Sequence, residues 1–425
     1  MHILLLTPNF HPEVNASATR QYEHCRRWAA AGHDVTVVTG VPNWPMGRVF
    51  DGYRNQWKSE EMIDGIRVLR VWTLISPNQG FLLRILSFIS YMVRATWAAC
   101  CTRKVDVVVA TSPHFFSGLA GMLTRYVTGR RFVLEIRDIW PESIVAVGAM
   151  KRSAVIRALE WLERRMYASA DHIVTVGNGY RQQLMDRGVS PSVISVVPNG
   201  IDTTRNQVLE TREIVRQRYG AGDRHVCAYV GTIGMAHGLN VVLKAAEHLR
   251  SQNRDDVVFW LVGDGAEREN LEKVARDRGL SNVVFTGLVS KRLVSGVVAA
   301  ADSCLVHLRG TELFGTVIPS KIFEIMYAEK PIVMGVRGEA QRMVTQNQAG
   351  VAMRPDDAGS LLSAVQTIAS SPETYSRGRD FVTEQFNRDT LAGQMLTILC
   401  EEGATTNRMP IPEQDDADSD LAHAA

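Results

Sequence analysis

Short apolar runs alternate with helical patterns along the first two hundred residues. The runs are continuously apolar, which is typical of strands in a parallel sheet that is covered on both faces. Between the first two runs, apolar residues recur at helical spacing from about Ser17 to Ala31, and Gly32 ends the pattern. The predicted strands are Ile3–Thr7, Val35–Thr39, Val105–Ala110, Phe132–Ile136, Ile173–Val176 and Val193–Val197.

A second series of the same kind begins near Cys227. Two such series predict an α/β protein of two doubly wound domains, each with its ligand loops at the carboxyl ends of its strands. We predict domains at 1–203 and 204–384, a C-terminal helix at 385–402 that returns to the first domain, and a disordered acidic tail at 403–425. The strands predicted in this series are Cys227–Val230, Val257–Val262, Val283–Thr286, Ser303–His307 and Pro331–Met334.

Charge and cysteine content narrow the function class. The 425 residues carry a net charge of +2, but the seven acidic residues and one Arg from Glu401 onward hide a charge of +8 in residues 1–400. This suits anionic ligands or an anionic membrane face, without the dense basic clusters of a nucleic-acid-binding protein. The six cysteines are scattered, and Met1–Thr7 is an apolar strand pattern without a basic start, so we expect a cytoplasmic protein without a signal peptide.

The segment 81–104 is the most apolar part of the chain. Its 21 residues from Phe81 to Cys101 include Arg84 and Arg94, which with two serines fall in one arc of a helix. Two arginines argue against a spanning helix. We predict a helix in the membrane interface, and the alternative is a helix buried in the core.

The segment Gly315 to Met334 predicts an anion site. We interpret Ser320 as the N-cap of a helix, so that Lys321 and Ile322 present amides at its positive end and Lys321 adds a cation. Glu324 lies on the same side of this helix, where a carboxylate can bind ribose hydroxyls. The amides and Lys321 would bind a diphosphate. The alternative is a surface helix with a solvated Lys and Glu.

Two glycine-rich loops follow strands of the second series. GTIGMAHG places Gly231, Thr232 and Gly234 between a strand and a helix, as a phosphate-binding loop requires. Its spacing is not GxGxxG, and a plain strand–helix turn is the alternative. For GDGAE at 263–267 we favour the plain turn.

Polar residues at strand ends in the first domain are candidates for the reaction itself. RDIWPES places Arg137, Asp138 and Glu142 beside an aromatic residue, which suits sugar binding or proton transfer; an Arg137–Asp138 ion pair is the alternative. His114 follows another strand and has either a catalytic or a structural role. Asn15 and Arg20 belong to a loop and helix that we expect to face the second domain, with capping as the alternative for Asn15.

The acidic run at Asp416, Asp418 and Asp420 lies in the tail and is interpreted as solvated charge, so we predict no metal site and no cofactor.

Taken together, these segments resemble the large retaining family of glycosyltransferases numbered four, which have the GT-B fold of two Rossmann-like domains facing each other across a cleft. The resemblance extends to about residue 400. RDIWPES with IPSKIFE is similar to transferases of bacterial surface polysaccharide, of the colanic-acid and N-acetyl-L-fucosamine types. The other segments that carry the resemblance are AAAGHDVTVVTG, ADHIVTVGNGY, VVPNGID, YVGTIG, FWLVGDG, VVFTGLV and PSKIFEIMYAEKPIV.

The resemblance implies roles for several residues. It places Glu324 under the donor ribose, and it matches Glu312 with a second glutamate, before a Phe314–Gly315 turn whose amides hold the donor sugar. Here the two glutamates are 12 residues apart, whereas the family pattern has eight.

Elsewhere the chain departs from the family. Its GTIG loop offers Met235 and His237 where a basic residue is expected, so we predict that Lys321 substitutes, with Arg309 as a second candidate. Asn15 and Ala16 replace the usual glycine pair after the first strand. Asp138 is our candidate for the polar group beneath the reacting carbon.

These observations predict a metal-independent, retaining glycosyltransferase. It would move a sugar from a nucleotide-sugar donor, UDP- or GDP-linked, to a lipid-linked or saccharide acceptor in surface polysaccharide biosynthesis. It would bind the inner face of the plasma membrane through 81–104 and bind no nucleic acid. The alternatives are a sugar-nucleotide epimerase and a non-catalytic nucleotide-sugar-binding partner of an assembly complex.

Overall fold

The protein has two separate β-sheets, one in each domain. The structure, a computed structural model, describes residues 1–44, 47–75, 81–112, 114–140, 153–203 and 208–401. Within these residues the first sheet has eight strands: β1 (His2–Leu6), β2 (Asp34–Thr39), β3 (Lys58–Ile63), β4 (Ile66–Val71), β5 (Val107–Thr111), β6 (Arg131–Ile136), β7 (His172–Thr175) and β8 (Ile194–Val196). They lie in the order β3-β4-β2-β1-β5-β6-β7-β8, and every pairing except β3 with β4 is parallel.

The second sheet is parallel throughout its described strands. It comprises β9 (His225–Val230), β10 (Val257–Val262), β11 (Val283–Gly287), β12 (Ser303–His307), β13 (Ile332–Gly335) and β14 (Gly350–Ala352), in the order β11-β10-β9-β12-β13-β14. Strand order reverses between β1 and β5 in the first sheet and between β9 and β12 in the second. Ligand crevices of doubly wound folds form at such reversals, beyond the carboxyl ends of the strands.

Helices cover both sheets. In the first part of the chain they are α1 (Ala16–Ala30), α2 (Phe81–Cys101), α3 (Phe115–Thr128), α4 (Ala154–Ser169) and α5 (Asn178–Asp186). In the rest they are α6 (Arg212–Arg218), α7 (Asn240–Ser251), α8 (Arg268–Asp277), α9 (Lys291–Ala300), α10 (Lys321–Tyr327), α11 (Glu339–Gln346), α12 (Ala358–Ser370), α13 (Arg379–Gln385) and α14 (Arg388–Cys400). The predicted α/β class with two doubly wound domains is confirmed.

The edge hairpin of β3 and β4 was not predicted. Asp64 and Gly65 connect the two strands, with φ angles of 47° and 79°. Positive φ at both central residues is the requirement of a two-residue hairpin turn, and Asp-Gly is one of the sequences that meet it.

The chain's last described helix packs on the first domain. The Trp28 indole of α1 donates to the Ala392 carbonyl of α14 at 3.0 Å. Arg131 at the start of β6 donates to the carbonyls of Ile398 and Leu399. Leu391, Met395, Ile398 and Leu399 are buried with Trp28 in the core of the first domain.

The chain therefore passes between the domains twice, and the two crossings are bonded to each other. Ile201 and Asn387 form a parallel bridge, with Ile201 N donating to Phe386 O at 2.9 Å and Arg388 N donating to Ile201 O at 3.0 Å. Gly200 packs against the Phe386 carbonyl so closely that a Cβ would clash.

The polar arc predicted for helix α2 is only partly exposed, since Arg84 is exposed and Arg94 is not. Arg94 is buried, with its guanidinium 3.3 Å from the centre of the Trp57 ring and Nη2 donating to the Trp57 carbonyl at 2.8 Å. Beside this arc the helix exposes an apolar stripe, formed by Leu83, Leu86, Val93 and Trp97. Among the described residues no helix is both long and apolar enough to cross a membrane.

Candidate active site

A cavity of about 500 Å³ lies between the two domains. One wall comes from α1 and the first crossing, with Arg20, His24 and Asn199. The other wall comes from the second sheet. Its lining includes Gly231 and Thr232 after β9, His307 and Leu308 at the end of β12, and Ser320, Lys321 and Glu324 where α10 begins. Both walls thus stand at the switch points of the two sheets, where the fold class places its ligands.

The ammonium of Lys321 lies against the glycine-rich loop. Its Nζ is buried without a hydrogen-bond partner among the described residues, and it lies 3.8 Å from the centre of the Tyr229 ring. A Cβ on Gly231 would lie 2.8 Å from this Nζ and would displace the ammonium, and the φ of 140° at Gly231 also favours glycine. Burial lowers the pKa of Lys321 to about 7, although Cys304 and Glu324 oppose the shift. An ammonium in this state gains from any anion that enters the cavity.

The start of α10 differs from the prediction in two ways. Ser320 precedes the helix, but its side chain makes no capping hydrogen bond because its backbone is already helical, with φ −60° and ψ −25°. The Ile322 amide is not free, since it donates to the Pro319 carbonyl at 3.1 Å. Of the two predicted amides only that of Lys321 has no partner among the described residues, so the anion-binding potential at this point rests on the amide and the ammonium of Lys321. Glu324 is exposed and lines the cavity one turn along.

The GTIG loop uses some of its amides internally. Gly231 N donates to Val262 O and Ile233 N to Asp264 O, each at 2.9 Å. The amides of Thr232 and Gly234 have no partner in the described part of the chain, so these two remain for a ligand. The Tyr229 hydroxyl donates to the Thr232 carbonyl at 2.6 Å and fixes the loop over the lysine.

The GDG turn supports this loop. A Cβ on Gly263 would clash with the Gly231 carbonyl, and one on Gly265 with the Ile233 carbonyl. Close approach of two backbones thus accounts for both glycines, in keeping with the plain turn favoured for this segment.

His307 is a site residue that the sequence analysis missed. It is 1% exposed, and its Nδ1 lies 2.6 Å from the His237 carbonyl. Its Nε2 accepts from the Asp356 amide at 3.0 Å, so Nδ1 carries the proton and donates to His237. Burial lowers the pKa of His307, which keeps the ring neutral and holds the end of the GTIGMAHG loop in place. Its position as the last residue of β12 was the one signal in the sequence.

Arg20 lines the cavity, but its guanidinium serves the first domain. It donates to Glu135 Oε1 at 2.9 Å, to Pro198 O at 2.6 Å and to Val197 O at 2.8 Å. Burial alone would raise the pKa of Glu135, yet the charges of Arg20 and Arg137 outweigh it and lower that pKa to about 2. Glu135, which the sequence analysis also missed, therefore anchors α1 and the first crossing to β6.

His24 adds an unused polar atom to this wall. It is 6% exposed, and its Nδ1 has no hydrogen-bond partner among the described residues. Burial lowers its pKa well below the usual value, and the Arg20 charge adds to this. The ring is therefore neutral and can donate or accept in the cavity.

The other candidates of the first domain do not line this cavity. Asn15 caps α1, accepting from the Ala18 amide at 2.7 Å, as its structural alternative proposed. His114 packs edge-on against Phe88 of α2, and burial lowers its pKa to about 4.

Arg137 donates to the Ser112 carbonyl at 2.9 Å, and Asp138 is half-buried beside it. Glu142 lies outside the described residues. Catalytic roles for Asp138, Glu142 and His114 stay predictions.

The Phe314–Gly315 turn lies at the edge of the second domain. Glu312 is exposed at its start, Phe314 is buried, and neither Glu312 nor Gly315 lines the cavity. The Gly315 amide donates to the Glu312 carbonyl at 3.0 Å, and the Phe314 amide to Thr311 Oγ1 at 3.4 Å. In this conformation the two amides are occupied within the turn. Their role in holding a donor sugar stays a prediction.

The next residue of this turn meets the first domain. Thr316 Oγ1 accepts from the Gln183 side chain at 3.1 Å, and a Cβ on Gly179 would lie 2.5 Å from the Thr316 Cβ. Beside it, the Glu339 carboxylate accepts from the Asn178 amide at 3.1 Å and from its side chain at 2.7 Å. The cleft is thus bridged by direct contacts between the domains at α5.

Comparisons with known proteins agree with this architecture. Residues 15–200 match the family model of a glycosyl transferase 4-like domain, and residues 224–371 match that of glycosyl transferases group 1. The chain is 24% identical over 408 residues to the putative colanic acid biosynthesis glycosyl transferase WcaI of Escherichia coli K12, covering 93% of this chain and 99% of WcaI. It is 26% identical over 273 residues to the probable glycosyltransferase WbjE of Pseudomonas aeruginosa, covering 63% and 66%.

A solved structure shares the fold. HepE of Anabaena, in complex with UDP and glucose, superposes with a TM-score of 0.70 at 18% identity, over 94% of this chain and 99% of HepE. Two facing doubly wound domains with a cavity between them have the GT-B architecture, and the two family models identify it as that of a glycosyltransferase. The chain belongs to the glycosyltransferases that join a transferase 4-like domain to a group 1 domain, and the predicted resemblance is confirmed.

Proposed function

We propose that the protein is a retaining glycosyltransferase that uses a UDP- or GDP-linked sugar and acts in surface polysaccharide biosynthesis. The observation that carries this proposal is the buried Nζ of Lys321 against Gly231, between the two domains, which has no hydrogen-bond partner in the part of the chain that the structure describes. A diphosphate is the group that this cation and the amides of Thr232 and Gly234 would bind together. HepE, a neighbour in fold, has been crystallised with UDP and glucose. WcaI, a relative over nearly the whole chain, is named for colanic acid biosynthesis.

The proposed reaction joins an acceptor hydroxyl to the anomeric carbon of the donor sugar. The bond from that carbon to the diphosphate oxygen breaks, and the hydroxyl proton passes to the departing phosphate on the same face, so the anomeric configuration is retained. Lys321 and the loop amides would stabilise the charge that develops on the diphosphate. Because Lys321 supplies a cation at this point, we propose a reaction without a metal. Glu324 would bind the ribose, and closure of the two domains would exclude water.

The acceptor in this proposal is lipid-linked or saccharide, and the protein works at the inner face of the plasma membrane. Helix α2 supports this part. Its exposed stripe of Leu83, Leu86, Val93 and Trp97 suits the membrane interface. Its Phe88 packs on His114, which follows β5 at the carboxyl edge of the first sheet. A lipid carrier lying along α2 would therefore bring its sugar end toward the cleft.

Replacing Glu324 tests the donor site. Glu324→Gln should weaken UDP or GDP binding about ten- to hundredfold, since a hydrogen bond to a charged group contributes about 1.5–3 kcal/mol. Isothermal calorimetry with UDP, GDP and UDP-glucose measures this and identifies the base. Glu329→Gln is the matched control, because Glu329 is an exposed glutamate just beyond the same helix that pairs with Arg379 and does not line the cavity. Equal affinities in the wild type and Glu324→Gln would contradict the ribose assignment.

A further inference from the structure

A second cavity, of about 300 Å³, lies between the β3–β4 hairpin and the last turns of α2. It shares no lining residue with the cavity between the domains. Its volume is at the lower end of the range for small-molecule sites. The side chains that define it are Lys58 and Arg67 from the hairpin and Trp97, Cys101 and Arg103 at the end of α2.

Two basic side chains of this pocket form no ion pair within the described residues. Arg67 is paired with Glu60 through two hydrogen bonds, at 2.6 and 3.0 Å. Lys58 and Arg103 are exposed, and neither forms an ion pair within the described ranges. Lys58 and Arg103 enter the pocket from the hairpin and from the helix end respectively. A group held between them would be an anion small enough for a pocket of this size, such as a phosphate.

The rim of the pocket is apolar and held in place. Trp97, which lines the pocket, is 47% exposed, and Trp57 of the hairpin is 65% exposed. The buried Arg94 guanidinium lies 3.3 Å from the centre of the Trp57 ring and 4.9 Å from that of Trp97, so it fixes both indoles. Val93 lies one turn before Trp97 on the same exposed stripe. Exposed tryptophans beside basic residues are typical of surfaces at the bilayer interface.

We propose that this pocket binds the phosphate of an anionic phospholipid headgroup, with Trp57, Trp97 and Val93 lying in the interface around it. The inference rests on the membrane association proposed above. A free phosphate in solution would need the two cations but would gain nothing from the exposed indoles, whereas a lipid headgroup uses both. The pocket thus orients the first domain on the membrane by a specific headgroup, in addition to general attraction to negative charge.

Vesicle flotation of the full-length protein tests the pocket. Vesicles of phosphatidylcholine alone are compared with vesicles that also contain phosphatidylglycerol. The wild type should bind the second kind more tightly. Loss of one basic residue near an anionic surface weakens binding about fivefold through general attraction, so loss of two gives about 25-fold. Lys58→Gln/Arg103→Gln should lose roughly tenfold more than this, because the direct contacts to phosphate are lost as well.

The matched control removes two basic residues of the same helix region that lie outside the pocket. Arg84 and Lys104 are both exposed, and neither lines the pocket, so Arg84→Gln/Lys104→Gln should lose only the 25-fold of general attraction. Equal losses in the two double variants would overturn the headgroup site. Binding of inorganic phosphate through Lys58 and Arg103, with no preference of the wild type for vesicles that contain phosphatidylglycerol, would assign the pocket to a free phosphate and also overturn the proposal.

UDP binding of the same variants separates the two proposals. Calorimetric affinity for UDP should be unchanged in both double variants, since their residues are remote from the cavity between the domains. A wild type that binds UDP but no phosphatidylglycerol vesicle refutes the headgroup site alone. A wild type that binds these vesicles through Lys58 and Arg103 but binds neither UDP nor GDP refutes the donor assignment alone.

Discussion

The position of Lys321 brings its ammonium close to the glycine-rich loop and at the same time removes it from water. Its ammonium has to be close to the backbone of Gly231 to reach a diphosphate, and that position also buries it against the Tyr229 ring. An aromatic ring attracts a cation but supplies no hydrogen bond. The free protein therefore holds a charge that is poorly solvated, and a bound diphosphate would supply the missing partners.

The affinity for UDP should depend on pH through this residue. Burial lowers the pKa of Lys321 to about 7, so the free protein carries the ammonium below pH 7 and a neutral amine above it. A diphosphate binds the ammonium, so the dissociation constant should rise up to tenfold per pH unit above 7. Calorimetry between pH 7 and 9 measures this, where the terminal phosphate of UDP is already ionised.

Two lysine variants sharpen this test. Lys321→Arg keeps its charge throughout this range and should flatten the profile. Lys330→Arg changes a half-buried lysine just beyond α10, whose Nζ donates to the Ala301 carbonyl, and should keep the wild-type slope. The same slope in Lys321→Arg would show that another group titrates.

Single residues also mark the limit of what the sequence could predict. Lys321 and Glu324 were predicted from helix spacing, and both line the cavity. Glu135 and His307 were not predicted, because the role of a buried ionisable residue in a strand depends on the side chains and carbonyls that it contacts in the folded protein. Those partners, Arg20 for Glu135 and His237 for His307, are 115 and 70 residues away in sequence.

At the scale of secondary structure, α14 stabilises a domain to which it is not adjacent in sequence. Its buried side chains complete the core around Trp28 on α1. The helix is therefore part of the first domain's fold, although the chain reaches it only after the whole second domain.

Truncating one of these side chains should destabilise the protein measurably. Met395 is 1% exposed, and Met395→Ala should lower the free energy of unfolding by about 2–5 kcal/mol. Urea denaturation followed by tryptophan fluorescence measures the loss, since Trp28 lies in this core. Gln394→Ala changes an exposed neighbour on the same helix and should remain within about 0.5 kcal/mol of the wild type. Similar midpoints for both variants would mean that α14 adds little to the first domain.

Element types were predictable where the pattern was continuous and less so where it was mixed. The apolar runs of β1 and β10 predicted buried parallel strands, as found. The β3–β4 hairpin was overlooked because β3 has alternating exposure and few apolar residues, although Asp64–Gly65 was a usable turn signal. The polar arc on α2 is buried at its Arg94 end, because this guanidinium packs on the partly exposed rings of Trp57 and Trp97 and donates to the Trp57 carbonyl.

At the scale of the whole molecule, the two domains touch through a glycine. Gly179 at the start of α5 packs against Thr316 of the second domain. Nearby, Glu339 accepts two hydrogen bonds from Asn178. Any side chain at position 179 must push the domains apart at this edge of the cleft.

Gly179→Val should therefore open the cleft. We expect a larger radius of gyration in small-angle X-ray scattering and a turnover at least tenfold lower, because the donor and acceptor walls separate. Gly393→Val is the matched control, since a Cβ on Gly393 meets nothing within 4 Å. Unchanged scattering and turnover in Gly179→Val would indicate that the contact at α5 is dispensable.

The paired crossings at Ile201 and Asn387 limit how the cleft can open. Two segments that run side by side and share backbone hydrogen bonds behave as a short ribbon, which bends more readily than it shears. The two domains should consequently rotate about this ribbon, which acts as a hinge. Residues far from it, at α5 and the Thr316 turn, then travel furthest, while those close to Gly200, such as Arg388 and His24, keep their mutual positions throughout the catalytic cycle.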